Sequence, residues 1–122
     1  MGFTPGTHTL APLRRLLPAG LVRSADLAAL PAGTMVEVAG QAISWQRPPM
    51  ARGMLFLSLT DEDGLLNVVV PPRVRERDGE AALREPLVLV RGVVERQGRS
   101  LSIRALALRP LAAILAATSQ LS

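Results

Sequence analysis

Residues 54–70 read MLFLSLTDEDGLLNVVV, two alternating runs about an acidic turn. Leu55, Leu57 and Leu59 alternate with Met54, Phe56, Ser58 and Thr60, the period of two that belongs to a strand with one buried face. Asp61-Glu62-Asp63-Gly64 has the composition of a hairpin turn, with Gly64 free to take a positive φ. Alternation then resumes. Leu66, Val68 and Val70 share one face, and Leu65, Asn67 and Val69 share the other.

Strand character extends in both directions. Upstream, Val36 and Val38 alternate with Glu37 and Ala39 from Met35 onward. Gly40 marks a bend or bulge, where a small barrel must turn its strand. The strand resumes through Trp45 and Arg47, Pro48-Pro49 breaks it, and Gly53 closes the loop. Downstream, Pro71-Pro72 ends the third strand. Residues 73–85 alternate charges around Val74, Ala81, Ala82 and Leu83, which predicts a helical connection weakened at Asp78-Gly79. Pro86 opens a fourth strand, Leu87–Glu95; Gln97-Gly98 turns the chain, and a fifth runs Ser100–Leu108.

The chain is therefore all-β with short helical extensions. Three strands, a helical connection and two more strands fill residues 35–110, the order of a five-stranded OB-fold barrel. An SH3-like barrel shares the all-β centre; the helix after strand three favours the OB type.

Residues 1–34 read as a leader. Its first nine residues are Gly-, Thr- and Pro-rich and expected to be loosely held. Leu10–Leu17 has near-helical spacing stopped by Pro18. Ser24 is placed to cap a short helix, Ala25–Leu30, with Asp26 in its first turn. Residues 111–122 form a tail, helical over Pro110–Ala117 with proline at its first position. That helix either caps the barrel or contacts a partner or second copy.

A length of 122 residues suits one domain. With 48% apolar but only 2% aromatic residues, the core must be Leu, Val, Ile and Ala. The absence of cysteine excludes disulfides and thiolate zinc sites and fits a reducing cytosol. The net charge is +4, and all 14 basic residues are arginine. High-GC coding is the plain reading of that choice, and recognition of phosphates and bases by the guanidinium fork is the functional one. The longest apolar run, near Leu111–Thr118, is far short of the ~20 residues of a membrane span. Arg14 and Arg15 interrupt any signal-peptide core. Gly6 stands where N-myristoylation needs Ser or Thr.

His8 is the only histidine, so neither a Ser-His-Asp nor a Cys-His arrangement can be built. No phosphate-cradling glycine loop occurs. Asp61, Glu62 and Asp63 could suggest a Mg²⁺ site, but neighbours on a tight turn diverge, so they read as a solvated hairpin tip. Catalysis, cofactor and metal are not expected.

Binding is. OB barrels take strands across the second and third strands, flanked by the first-second and fourth-fifth loops. Here those loops are Arg47–Gly53, carrying Arg47 and Arg52, and Arg96–Arg99, carrying Arg96 and Arg99. Four arginines on one rim would make a funnel for phosphates; two ordinary solvated loops is the plain alternative. Phe56 and Asn67 fall on the outer face. Phe56 either stacks a base or packs beneath the helix or leader. Asn67 either reads a base edge or is simply polar surface. Trp45, beside Arg47, is the stronger stacking candidate. Arg104 and Arg91 extend the basic face if strand phase allows.

A resemblance adds to these readings. His8-Thr9-Leu10, Leu13-Arg14, Ala25-Asp26-Leu27 and residues 36–40 (VEVAG) are similar to a region of bacterial C-family DNA polymerases, the polymerase III alpha subunits. So are Gln46-Arg47-Pro48, Gly53-Met54-Leu55-Phe56, residues 59–64 (LTDEDG), residues 67–70 (NVVV), Arg91-Gly92-Val93-Val94 and Pro110-Leu111. The likeness covers roughly residues 8–111 and is greatest to the C-terminal OB-fold region of the error-prone, damage-tolerant branch. It implies contact with single-stranded template, and sometimes with other replisome subunits. Anticodon-binding OB domains of class II aminoacyl-tRNA synthetases share the Phe56–Asn67 string; that similarity implies base stacking at Phe56 and base reading at Asn67. Palm, fingers and thumb are missing, Arg52 replaces the usual lysine, and Thr9 a frequent proline. The chain is an excised tail or a free-standing relative, and polymerase activity does not carry over.

The expectation is a non-catalytic, single-stranded DNA-binding module of replication or repair, cytoplasmic and nucleoid-associated, monomeric or weakly dimeric. A protein-interaction adaptor for a polymerase or replisome subunit, and an RNA- or tRNA-binding domain, are the alternatives.

Overall fold

A computed structural model describes residues 10–17 and 20–121. The expected looseness of residues 1–9, and His8 with them, lie outside the described residues. Five strands, β1 (Met35–Gln46), β2 (Leu55–Thr60), β3 (Leu65–Val70), β4 (Leu87–Gln97) and β5 (Ser100–Pro110), close a barrel in the order β1-β2-β3-β5-β4. Neighbours are antiparallel except β3 and β5, which pair in parallel through Val68↔Ile103 and Val69↔Arg104.

The faces of β2 and β3 obey the alternation. Leu55, Leu57, Leu59, Leu66, Val68 and Val70 are buried, while Phe56 and Asn67 are exposed. β1 is more involved. It runs unbroken past Gly40, pairing with β4 up to Gln41 and with β2 from Gln41 onward. Gly40 is needed for close approach: a Cβ there would lie 2.9 Å from Leu59 Cβ. The bulge falls later, between Ala42 and Ser44, and reverses the phase of the strand beyond it. Ser44 and Gln46 therefore stand with outward Ser58 and Phe56, whereas Trp45 pairs with buried Leu57.

The connection between β3 and β4 is helical over residues 72–82, its middle turn, Arg75–Gly79, wound as a π-helix. The Asp78 carboxylate ties that turn to β5 by accepting from Leu108 N–H at 3.0 Å. Ala81, expected as an apolar contact, is exposed.

Leader and tail pack on the barrel. Leu27 joins the main core. Leu10 and Leu17 form a second core with Ala39 of β1, Leu89 of β4, and Leu111 and Ile114 of the C-terminal helix Leu111–Leu121. Ala39 and Leu89 are register partners, so this cluster covers the β1–β4 sector of the barrel's outer surface. The leader's first helix is a 3-10 helix, Ala11–Leu16, and its second is shorter than expected, Ser24–Leu27.

Two expectations in this region are corrected. Ser24 is no N-cap, since Arg23 holds that position without a side-chain cap. The Ser24 hydroxyl and backbone N–H both donate to Asp61, at 2.6 and 2.7 Å. Nor is the acidic turn a solvated tip. Asp61 is 3% exposed and also accepts from Asp63 and Gly64 N–H groups at 2.9 and 3.0 Å. Glu62 takes a two-pronged bond from Arg14 at 2.8 and 2.6 Å, and Asp63 pairs with Arg23 at 2.7 Å. The three carboxylates fasten the leader to the β2–β3 turn.

Candidate nucleic-acid interface

With leader and tail over the β1–β4 sector, the outer face of β2, β3 and β5 stays open. Register builds a row across it: Gln46 beside Phe56, Phe56 beside Val69, Val69 beside Arg104. The next row holds Ser44, Ser58 and Asn67. The Phe56 ring is 42% exposed, enough for a flat ligand to reach it. Arg104 pairs loosely with Glu95, at 3.6 Å. A polar hollow lined by Val69, Glu95, Arg96, Gln97, Ser100 and Ser102 continues the face toward the β4–β5 turn.

The two arginine loops flank this face from opposite ends. The β4–β5 turn lies level with the β2–β3 turn, because parallel β5 and β3 run the same way; the β1–β2 loop lies at the other end of β2. β2 is six residues long, so about 20 Å of strand separates the two ends. The arginines thus form two walls, and the single rim expected from sequence is corrected. Arg47 and Arg52 are exposed on one wall, Arg52 in the left-handed conformation at φ 54 just before Gly53. On the other, Gly98 takes φ 60 at the first position of a two-residue turn, and Arg99 is exposed. Arg96 lines the hollow and also holds the leader: its guanidinium donates to the carbonyl oxygens of Ala28 and Leu30, fixing the leader to β4.

Structure therefore brings Phe56, Asn67 and Arg104 onto one face, with Arg52 and Arg99 at its margins. Trp45 and Arg47 are not on that face. The β1 bulge turns them toward the barrel mouth, where they line a cleft with Leu55, Arg75, Gly79, Glu80, Leu83 and Arg84. Arg91 stands opposite Glu37 on the β1–β4 pair, away from the open face. The helical residues of the cleft were missed in the sequence, although positions 75, 79, 80, 83 and 84 have the spacing of one helix face.

Glu62, Asp63 and Asp78 are tied to arginines away from the open face, whereas Glu95 stands on it beside Arg104. Glu62 has its carboxyl lowered from 4.5 to about 2, chiefly by the Arg14 hydrogen bond, and the same bond raises Arg14. Asp78 is lowered by the Arg77 bond. No group of His, Asp or Glu able to hold a metal ion occurs among the described residues. No described helix is long and apolar enough to cross a membrane.

A closed five-stranded barrel with this strand order and a helix between β3 and β4 is an OB-fold domain. The fold is shared with asparaginyl-tRNA synthetase from Pyrococcus horikoshii (TM-score 0.63, 22% identity, 77% of this chain and 23% of that one). It is shared also with the OBody AM1L10 bound to hen egg-white lysozyme (TM-score 0.57, 20% identity, 75% and 93%). No family model matches the chain. By sequence, the chain is homologous to a segment of bacterial error-prone DNA polymerases. It is 42% identical over 112 residues to the error-prone DNA polymerase of Anaeromyxobacter dehalogenans, covering 91% of this chain and 10% of that protein. The corresponding enzyme of Pseudomonas aeruginosa is 40% identical over 99 residues, 80% of this chain and 10% of that protein. The chain thus spans about a tenth of these relatives.

Proposed function

We propose that this domain binds single-stranded DNA across the outer face of β2, β3 and β5, without catalysing a reaction, within an error-prone polymerase system of the bacterial cytoplasm and nucleoid. The observation that carries the reading is the row Phe56–Val69–Arg104 with Asn67 beside it, on a sector that leader and tail leave bare. An exposed ring stacks a base, an amide reads a base edge, and a guanidinium holds phosphate. Arg52 and Arg99 guide the strand from either end, with Arg47 beyond the β1–β2 lip. Arg96 lines the hollow at the β4–β5 end of the face and also fixes the leader.

Three to four phosphate contacts give a log–log salt slope of about −2 to −3, at ~0.7 per contact on single strands. Fluorescence anisotropy of a labelled oligonucleotide over a salt series tests this. Absence of binding at low salt removes the reading. Competition with RNA of the same sequence separates DNA from RNA preference. A protein partner is the second reading, favoured by Ile43 and Leu65, both more than half exposed. It is consistent with the OBody, an OB barrel bound to a protein. On that reading, partner binding survives Phe56→Ala and Arg104→Gln.

A further inference from the structure

The cleft at the barrel mouth has a composition of its own. Its floor and walls are Leu55, Leu83 and the Trp45 indole, and its volume is about 410 Å³. Around it stand Arg47, Arg75 and Arg84 against one carboxylate, Glu80, which Arg84 already engages at 2.7 Å. The indole is 53% exposed although its backbone register keeps the barrel's inner phase. Arg75 lines the cleft, half-buried, with its Nε making no hydrogen bond within the protein. Gly79 keeps the wall low, since a Cβ there would crowd Arg75 at 3.2 Å. The π-helical turn sets Arg75 and Gly79 beside the cleft, and such turns recur at functional positions.

An apolar slot faced by an indole takes a flat ring, and a guanidinium rim takes an anion. A nucleotide carries both. We infer that this cleft is a second nucleotide subsite, in which a base lies against Trp45 and its phosphate is held by Arg47 and Arg75. The inference rests on the proposed single-strand binding and extends it past the open face. The two aromatic positions are near neighbours, since Phe56 faces Gln46, the residue after Trp45, yet the bulge sends their side chains to opposite sides of the sheet. A bound strand crosses the β1–β2 lip, past Arg52 and Arg47, and turns into the barrel mouth. Consecutive bases on the two rings are then unstacked from each other.

Trp45 is the only tryptophan, so its emission reports on the cleft alone. The intact protein is titrated with an oligothymidylate of about eight residues, within the span one OB barrel accommodates. Anisotropy of labelled oligomer and Trp45 emission are recorded together, with thymidine 5′-monophosphate and an acidic tryptophan-free peptide as further probes. Quenching at saturation is expected in the wild type, and in Phe56→Ala despite binding weaker by about 5- to 150-fold. Arg75→Gln, and Arg47→Gln at an exposed position, are expected to diminish the quench produced by the monophosphate. Binding seen by anisotropy with Trp45 emission unchanged overturns the subsite while leaving open-face binding intact. Silence in both signals overturns the single-strand reading and the subsite with it. Stronger quenching by the acidic peptide than by the oligomer also overturns the assignment.

Discussion

At the scale of residues, the acidic turn shows how three adjacent carboxylates can serve structure. Asp61 gathers four donors, Glu62 holds Arg14, and Asp63 holds Arg23. Because the Glu62 carboxyl is lowered to about 2, the folded state binds its proton more weakly than the unfolded chain. Its stabilisation is therefore complete above the ordinary value of 4.5 and is lost as pH falls toward 2. Glu62→Gln is expected to cost about 1–3 kcal/mol at pH 7 in urea unfolding, with the gap from wild type closing between about pH 5 and 2. A gap independent of pH contradicts that role for Glu62. Asp61→Ala is expected to cost at least about 3 kcal/mol, because it strips the acceptor from four donors at a buried site.

At the scale of elements, two glycines set how closely strands meet. A Cβ at Gly92 would stand 2.4 Å from the Arg104 carbonyl oxygen and 2.5 Å from Ile103 Cγ2. Gly92→Ala is expected to destabilise the barrel by at least about 2–3 kcal/mol, read from thermal unfolding. Loss of under ~0.5 kcal/mol would show that β4 and β5 can separate there. The strands themselves were legible: alternation over residues 54–70 assigns every buried and exposed side chain of β2 and β3. The bulge at Ile43 was not. A single extra residue reverses all side chains beyond it, and nothing in Ala42-Ile43-Ser44 announces one. For that reason Trp45 parts company with Phe56. The opposed positions of the two arginine loops were equally hidden, since they depend on the parallel β3–β5 pairing, a long-range fact with no local signature.

At the scale of the molecule, the leader and C-terminal helix decide which half of the barrel is open. They cover Ala39 and Leu89 and leave Phe56, Asn67 and Arg104 bare. Removing residues 10–34 would uncover that sector and withdraw Leu10, Leu17 and Leu27 from the cores. Each buried leucine contributes roughly 1.5–3 kcal/mol, so the urea midpoint is expected to fall sharply. On the proposed function, binding belongs to one face, and not to net positive charge in general. The direct measurement is the salt dependence of oligonucleotide affinity for Arg104→Gln and Arg91→Gln, two variants that each remove one exposed charge, on the open face and beside Glu37 respectively. Arg104→Gln is expected to weaken binding and reduce the slope by about 0.7, while Arg91→Gln leaves the slope unchanged. Equal changes in the two variants would contradict a defined face.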